Sequence, residues 1–397
     1  MTLLSKLISC LEQDTLRDTS QKKLFHYMTN DHHCSSYRDL FESLINKRRQ
    51  MVLAIAPQFK QANLRTIYLS QEYQELVNQG GTATSSASKY MNEILEKVAV
   101  KHFGSLSQMW ALVEVEQIVQ RQLGFSNFIP GMTFVDQEYQ SQLIDDVEKS
   151  QLIVSSPHRE GLFKLSDAIC LANIDLFVLE QSWYELLPLL GLSAKGSHFV
   201  LLHAPNNNTS PCLASSAKIT GWSNSKHWLS YTPFFQHKNW QCLFTDESVN
   251  QLNKTGAFKS VSADSPTLKC FDQDCIEKVH NKSSICEILR LTTAGQKMQR
   301  LYLLYLAQKE MANCLYRAGF RCAYTIIDNP WLLNFYSQLG SSAYIDTGCY
   351  SIEDTSNPTF RGMWLVEEFN FQYSSIDFRQ YKKLVRSKVC KKEVNDA

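Results

Sequence analysis

The chain lacks the marks of several large functional classes. Its 397 residues carry a formal net charge of only +1, so no global basic field draws it to nucleic acid, and only local patches stay open. No apolar run approaches the ~18 residues needed to cross a bilayer. The N-terminal MTLLSKLISC breaks its apolar residues with Lys6 and runs at once into Glu12 and Asp14, which makes a poor signal peptide. Together these absences predict a cytoplasmic chain. There are twelve cysteines but no Cys-x-x-Cys pair, and Cys270 to Cys275 is not a zinc spacing. They read as free, mostly core-filling thiols, and no metal site is expected.

What is present suffices for two domains with real cores, since 44% of residues are hydrophobic and 20% charged. Asp31-His32-His33-Cys34 spells the signature of protein palmitoyltransferases, but the membrane spans and Cys/His-rich surround of those proteins are missing. Up to about residue 125 the texture is helical: SSYRDLFESLINKRRQMVLAI, SASKYMNEILEKVAVKHFG and LSQMWALVEVEQIVQRQLG all carry apolar residues at three- and four-residue spacing. The reading is a helical region over 1–130 followed by an α/β domain over 131–397. Within the latter, SHFVLLHA, PCLASSAKITGW and TFRGMWLVEEF read as strands, and 246–284 as a long loop or insertion.

The most legible stretch is 285–346. A strand ICEILRLTT leads to a helix over about 295–318 with Met298, Leu301, Tyr305, Met311 and Leu315 on one stripe, stopped by Gly319. FRCAYTII follows as a buried strand. Asp328-Asn329-Pro330 starts a second helix that Gly340 ends, and SAYID is the next strand. Strand–helix–strand–helix–strand with short links is a parallel α/β signature.

That order, closed by NPWLLNFYSQLG, resembles the C-terminal half of the GNAT acyltransferase fold, carried by Asn329, Phe335, Tyr336, Leu339 and Gly340. The fold class implied is a GNAT-like mixed sheet flanked by helices. The turn before the long helix, Thr292 to Met298, holds a single glycine and makes a poor pyrophosphate cradle. Acyl-homoserine-lactone synthases resemble GNATs but take their acyl group differently. Their fourth strand carries E-x-x-R, similar to Glu287-Ile288-Leu289-Arg290, and their first helix R-x3-F, matched by Arg159 and Phe163. Lys218 stands where an Arg is usual, and their D-x-x-D pair is absent, with Asp175 and Glu180 as loose candidates. Length and an added N-terminal region resemble the LuxM/AinS type.

The resemblance implies transfer of an acyl group from acyl-carrier protein or acyl-CoA to the amine of S-adenosylmethionine, then lactonisation with release of methylthioadenosine. Both molecules are substrates, and no cofactor is expected. Glu287 is the expected base and Arg290 the group that orients it or holds a substrate carboxylate. Residues three apart on a regular strand face opposite ways, so the two cooperate in a shared cleft only if a β-bulge restores the phase. Arg159, Phe163, Lys218, Trp222 and Tyr336 are expected at the substrates, Tyr336 as a proton donor. Trp222, Trp228, Tyr231, Phe234, Phe235 and Trp240 read as core or as a pocket lining, and Arg379, Lys382, Lys383, Arg386, Lys388, Lys391 and Lys392 as a basic tail able to steer an acidic carrier. A conventional N-acetyltransferase using acetyl-CoA, or a non-catalytic GNAT-like module, remains open at this point.

Overall fold

The computed structural model describes residues 106–124, 132–180, 195–204, 210–232, 235–327, 329–350 and 358–386. The two earlier predicted helices, the DHHC run, Phe234 and the basic residues beyond Arg386 lie outside them. In chain order the elements are α1 (Leu106–Gln120), β1 (Tyr139–Ile144), β2 (Ile153–Ser155), β3 (Leu162–Lys164), α2 (Leu165–Asn173), β4 (His198–His203), β5 (Cys212–Gly221), β6 (Gln241–Cys242), α3 (Asp246–Lys254) and α4 (Leu268–Glu277). They continue as β7 (Ile285–Thr293), α5 (Lys297–Arg317), β8 (Cys322–Ile327), α6 (Pro330–Leu339), β9 (Tyr344–Tyr350), β10 (Thr359–Leu365), α7 (Val366–Ser374) and α8 (Phe378–Arg386). Among the described residues no helix is long and apolar enough to cross a membrane.

These residues fall into two compact units. The first holds 106–124 and 158–180, so it reaches past the boundary near residue 130 read from the sequence. Within it the end of α1 is bridged to β3 by Leu123 N–H donating to Leu162 O at 2.7 Å and Leu162 N–H to Gly124 O at 3.0 Å. Gly161 takes φ 122°, a backbone conformation that residues with a Cβ rarely adopt. The R-x3-F pair is not on a helix. Phe163 lies on β3, and Arg159 in the turn before it pairs with Asp175 at 2.7 Å.

The second unit is built on a sheet of order β1-β4-β5-β7-β8-β10-β9-β6. Only β7 and β8 are parallel along this path, because α5 makes the crossover that a parallel pair requires. β9 does not join β8 as the next parallel neighbour; β10 lies between them, antiparallel to both. The mixed α/β class expected from the sequence is therefore the observed one, with the last strand inserted.

Each face of the sheet buries its own core. On one, Leu303, Ala307, Met311 and Leu315 of α5 pack with Cys286, Ile288 and Ala323, and with Phe335, Phe369, Tyr373 and Tyr381 from α6 to α8. On the other, Ile285, Tyr324, Ile345 and Met363 lie under the segment from Trp228 to Cys275. That segment is not the loop the composition suggests. Thr245 caps α3 through a reciprocal pair with Ser248, Thr267 caps α4, and Val249, Leu252, Leu268, Phe271 and Cys275 are buried. Residues 366–369, read as the end of a strand, instead begin the helix Val366–Ser374 just past the sheet.

Candidate functional site

The expected bulge is present in β7. Ser216 pairs with Thr292 and Lys218 with Leu289, so Ala217 alone faces both Arg290 and Leu291. Arg290 takes φ 56°, a left-handed backbone that costs a non-glycine residue about 1–2 kcal/mol and persists only where the surrounding ladder enforces it. Before the bulge β7 alternates normally. Cys286 and Ile288 enter the α5 core, while Ile285 enters the opposite one and Glu287 follows it. Lys218, in register with Leu289 on one side and His198 on the other, shares the Glu287 face.

The extra residue changes where charge goes. Leu291 packs toward the α5 core, and the Arg290 guanidinium acts on Lys218 and His198. Burial, reinforced by Arg290, lowers the Lys218 ammonium from its ordinary range. Burial also pulls His198 down to about 4, with Lys218 and Arg290 adding to it against the hydrogen bond to Gly196 O and Asp146. His198 is thus neutral, and its Nδ1, 3.0 Å from Gly196 O, carries the proton.

Glu287 does not look into an open cleft. It is fully buried, and a buried carboxylate needs donors. The short turn Leu229–Tyr231 supplies them: Ser230 N–H donates to Oε1 at 2.8 Å, the Ser230 hydroxyl to Oε1 at 2.6 Å, and Leu229 N–H to Oε2 at 2.9 Å. Burial still raises the Glu287 carboxyl above its usual range, opposed by these three bonds and by the field of Arg361. Trp222, at the end of β5, meets Trp228 and Tyr231 edge-on at 5.3 and 6.4 Å, and the Tyr231 hydroxyl donates to that of Tyr324 at 3.1 Å.

Beneath this turn lies an ion pair the sequence reading missed. Arg361 on β10 grips Asp272 of α4 with two parallel bonds of 2.9 Å and donates a third to Phe235 O, with both side chains almost wholly buried. Asp272 sat in a segment read as a loop, and Arg361 in the middle of a strand. An Arg inside an apolar strand run was the one available signal.

Other expectations are corrected. Tyr336 is 3% exposed; its ring packs on Phe335, Tyr344, Trp364 and Phe369, and its hydroxyl is donated to Gln308 Oε1. It is packed in the core of the α5 face. Phe163 is also fully buried, in the first unit, where Arg159 is half-exposed. Thus Glu287, Arg290, Lys218 and Trp222 come together around β5 and β7, and Tyr336 does not join them. Among the described residues no group of three or more His, Cys, Asp or Glu side chains could hold a metal.

The profile of the acyl homoserine lactone synthase family matches residues 19–394. The acyl-homoserine-lactone synthase OpaM of Vibrio parahaemolyticus is 33% identical over 389 residues, 97% of this chain and 97% of that one. LuxM of Vibrio campbellii, also named an acyl-homoserine-lactone synthase, is 32% identical over 93% of this chain and 92% of its own. A solved structure, "Crystal structure of TofI in a ternary complex with an inhibitor and MTA", aligns with 47% of this chain and 73% of that one at 8% identity and a TM-score of 0.26, a likeness too slight to argue from.

Proposed function

The chain belongs to the acyl-homoserine-lactone synthase family, and from that premise we propose that it joins the acyl group of a thioester to the amino group of S-adenosylmethionine, then closes the lactone. In the first step the amine loses a proton and attacks the thioester carbon, the C–S bond breaks, and the thiol leaves with a proton. In the second the methionyl carboxylate attacks the carbon bearing the sulfonium, and neutral methylthioadenosine departs.

An α-amine near pKa 8 is mostly protonated at neutral pH, so a base must take its proton. Glu287 is that base on this reading, because burial raises its carboxyl toward the operating range; it faces no open cleft, so substrate binding has to open a path to the unoccupied position on its Oε2. Arg290 and Lys218 hold the substrate carboxylate. The single observation that carries the reading is their juxtaposition: the β7 bulge adds one residue and brings a second cation beside Lys218 on the Glu287 face. Trp222 stands at the same end of β5 as a flat surface for an adenine ring. The acyl donor rides on carrier protein or coenzyme A. The exposed Arg379, Lys383 and Arg386 of α8 favour an acidic carrier.

The test is to mix purified chain with S-adenosylmethionine and octanoyl-carrier protein or octanoyl-coenzyme A, and follow both products by mass spectrometry. Equal amounts of lactone and methylthioadenosine are expected. Acylated S-adenosylmethionine without methylthioadenosine would reduce the activity to simple N-acyl transfer, and no product with a series of acyl lengths would refute the reading.

A further inference from the structure

A carboxylate offers about four lone-pair sites to donors. In Glu287 three are taken by one short turn, two of them on Oε1 by the N–H and hydroxyl of Ser230 alone. Ser230 is itself fully buried, and both of its bonds end on the same oxygen. Such an arrangement fixes the rotation of the carboxylate plane and leaves a single site, on Oε2, for a proton. The backbone bonds would survive most substitutions at 230, so the hydroxyl is the adjustable part.

We propose that Ser230 is a positioning residue for the acyl transfer: its hydroxyl holds Oε1 of Glu287 so that the remaining Oε2 site takes the proton from the substrate amine. This rests on Glu287 being the base. The donor also stabilises the ionised form, so it keeps the acidic limb of the pH profile low. Ser230 touches neither substrate nor reacting atoms and acts through Glu287 alone.

The experiment measures methylthioadenosine release from S-adenosylmethionine and octanoyl-coenzyme A across pH for the full chain and four variants. For Ser230→Ala the midpoint of the acidic limb rises by about one pH unit, kcat below it falls about tenfold, and KM for S-adenosylmethionine stays within about twofold. Ser230→Thr keeps the hydroxyl and restores the wild-type midpoint. Adding Ser230→Ala to Glu287→Gln causes no further loss, since the hydroxyl then has no base to position. A Ser230→Ala enzyme with an unmoved midpoint, or with a raised kcat because the turn merely shuts the carboxylate away, overturns the inference while Glu287→Gln remains inactive. A fully active Glu287→Gln enzyme instead overturns the assignment of the base, and this inference with it. If Ser230→Ala does not fold, the Thr variant carries the test: a midpoint displaced from wild type contradicts the role.

Discussion

On the α5 side of the sheet, Tyr305, Tyr336, Tyr373 and Tyr381 pack ring against ring at 4.7 to 6.1 Å with each other and with Phe335. Their hydroxyls end on protein groups: Tyr305 on Ile376 O, Tyr373 on Tyr305 O, and Tyr336 and Tyr381 on the two ends of the Gln308 amide. On the opposite side Trp222, Trp228, Tyr231 and Tyr324 form a shell of similar make-up, at 5.2 to 6.4 Å. It borders the Glu287 carboxylate and the buried Arg361–Asp272 ion pair. An aromatic cluster whose polar atoms satisfy one another is a core. One built around a buried carboxylate and ion pair is the candidate site. Aromatic residues alone did not separate the two: Tyr336, expected at the substrates, packs in the α5 core.

The largest effect that sharpens this contrast is on stability. Asp272→Ala leaves Arg361 charged and unpaired in the interior, and should cost about 3–5 kcal/mol in denaturant unfolding. Replacing both partners with apolar residues should recover most of that, which a double-mutant cycle checks. A loss below about 1 kcal/mol would mean that water already reaches the pair.

Asp346 on β9 carries a carboxyl that is short of donors. Its Oδ1 has no hydrogen-bond partner, and burial raises its carboxyl from 3.8 to about 6. A group whose folded pKa exceeds its unfolded value binds its proton more tightly when folded, so stability is gained as pH falls from above 6 toward 3.8. Asp346→Asn should therefore be up to about 3 kcal/mol more stable than wild type above pH ~7, with the advantage gone near pH ~4. Chemical denaturation of both proteins across that window reads the difference. A constant offset would point to packing instead.

Smaller effects divide the two shells by function. Lys218→Met, which removes one of the two cations beside the β7 bulge, should raise KM for S-adenosylmethionine about tenfold with less change in kcat. Tyr336→Phe removes a bond to Gln308 and should cost about 1 kcal/mol of stability, leaving kcat within about twofold. A kcat collapse in the latter, with the fold intact, would return Tyr336 to the catalytic machinery.

The strongly patterned parts of the chain were readable. β7, α5, β8 and α6 announce themselves by period, by Gly319 and Gly340 at left-handed stops, and by Pro330 at a helix start. The bulge was deducible because two charged residues three apart cannot share a face of a regular strand. The rest depends on contacts distant in sequence. Ser230 meets Glu287 across 57 residues and Arg361 meets Asp272 across 89, and neither member of either pair has a local pattern that names its partner. Short amphipathic helices such as α3 and α4, with few apolar residues, were hidden by their polar composition and given away only by the capping threonines 245 and 267. The R-x3-F spacing fitted a helix equally well, but Gly161 forces a turn between Arg159 and Phe163.

The central claim is that a desolvated Glu287 accepts the amine proton. The pH dependence of methylthioadenosine release by the wild type and Glu287→Gln tests it most directly. The account predicts an acidic limb in the wild type that vanishes in the variant, together with a fall of at least about a hundredfold in kcat at neutral pH. A Glu287→Gln enzyme that keeps both the wild-type rate and the same acidic limb would contradict it.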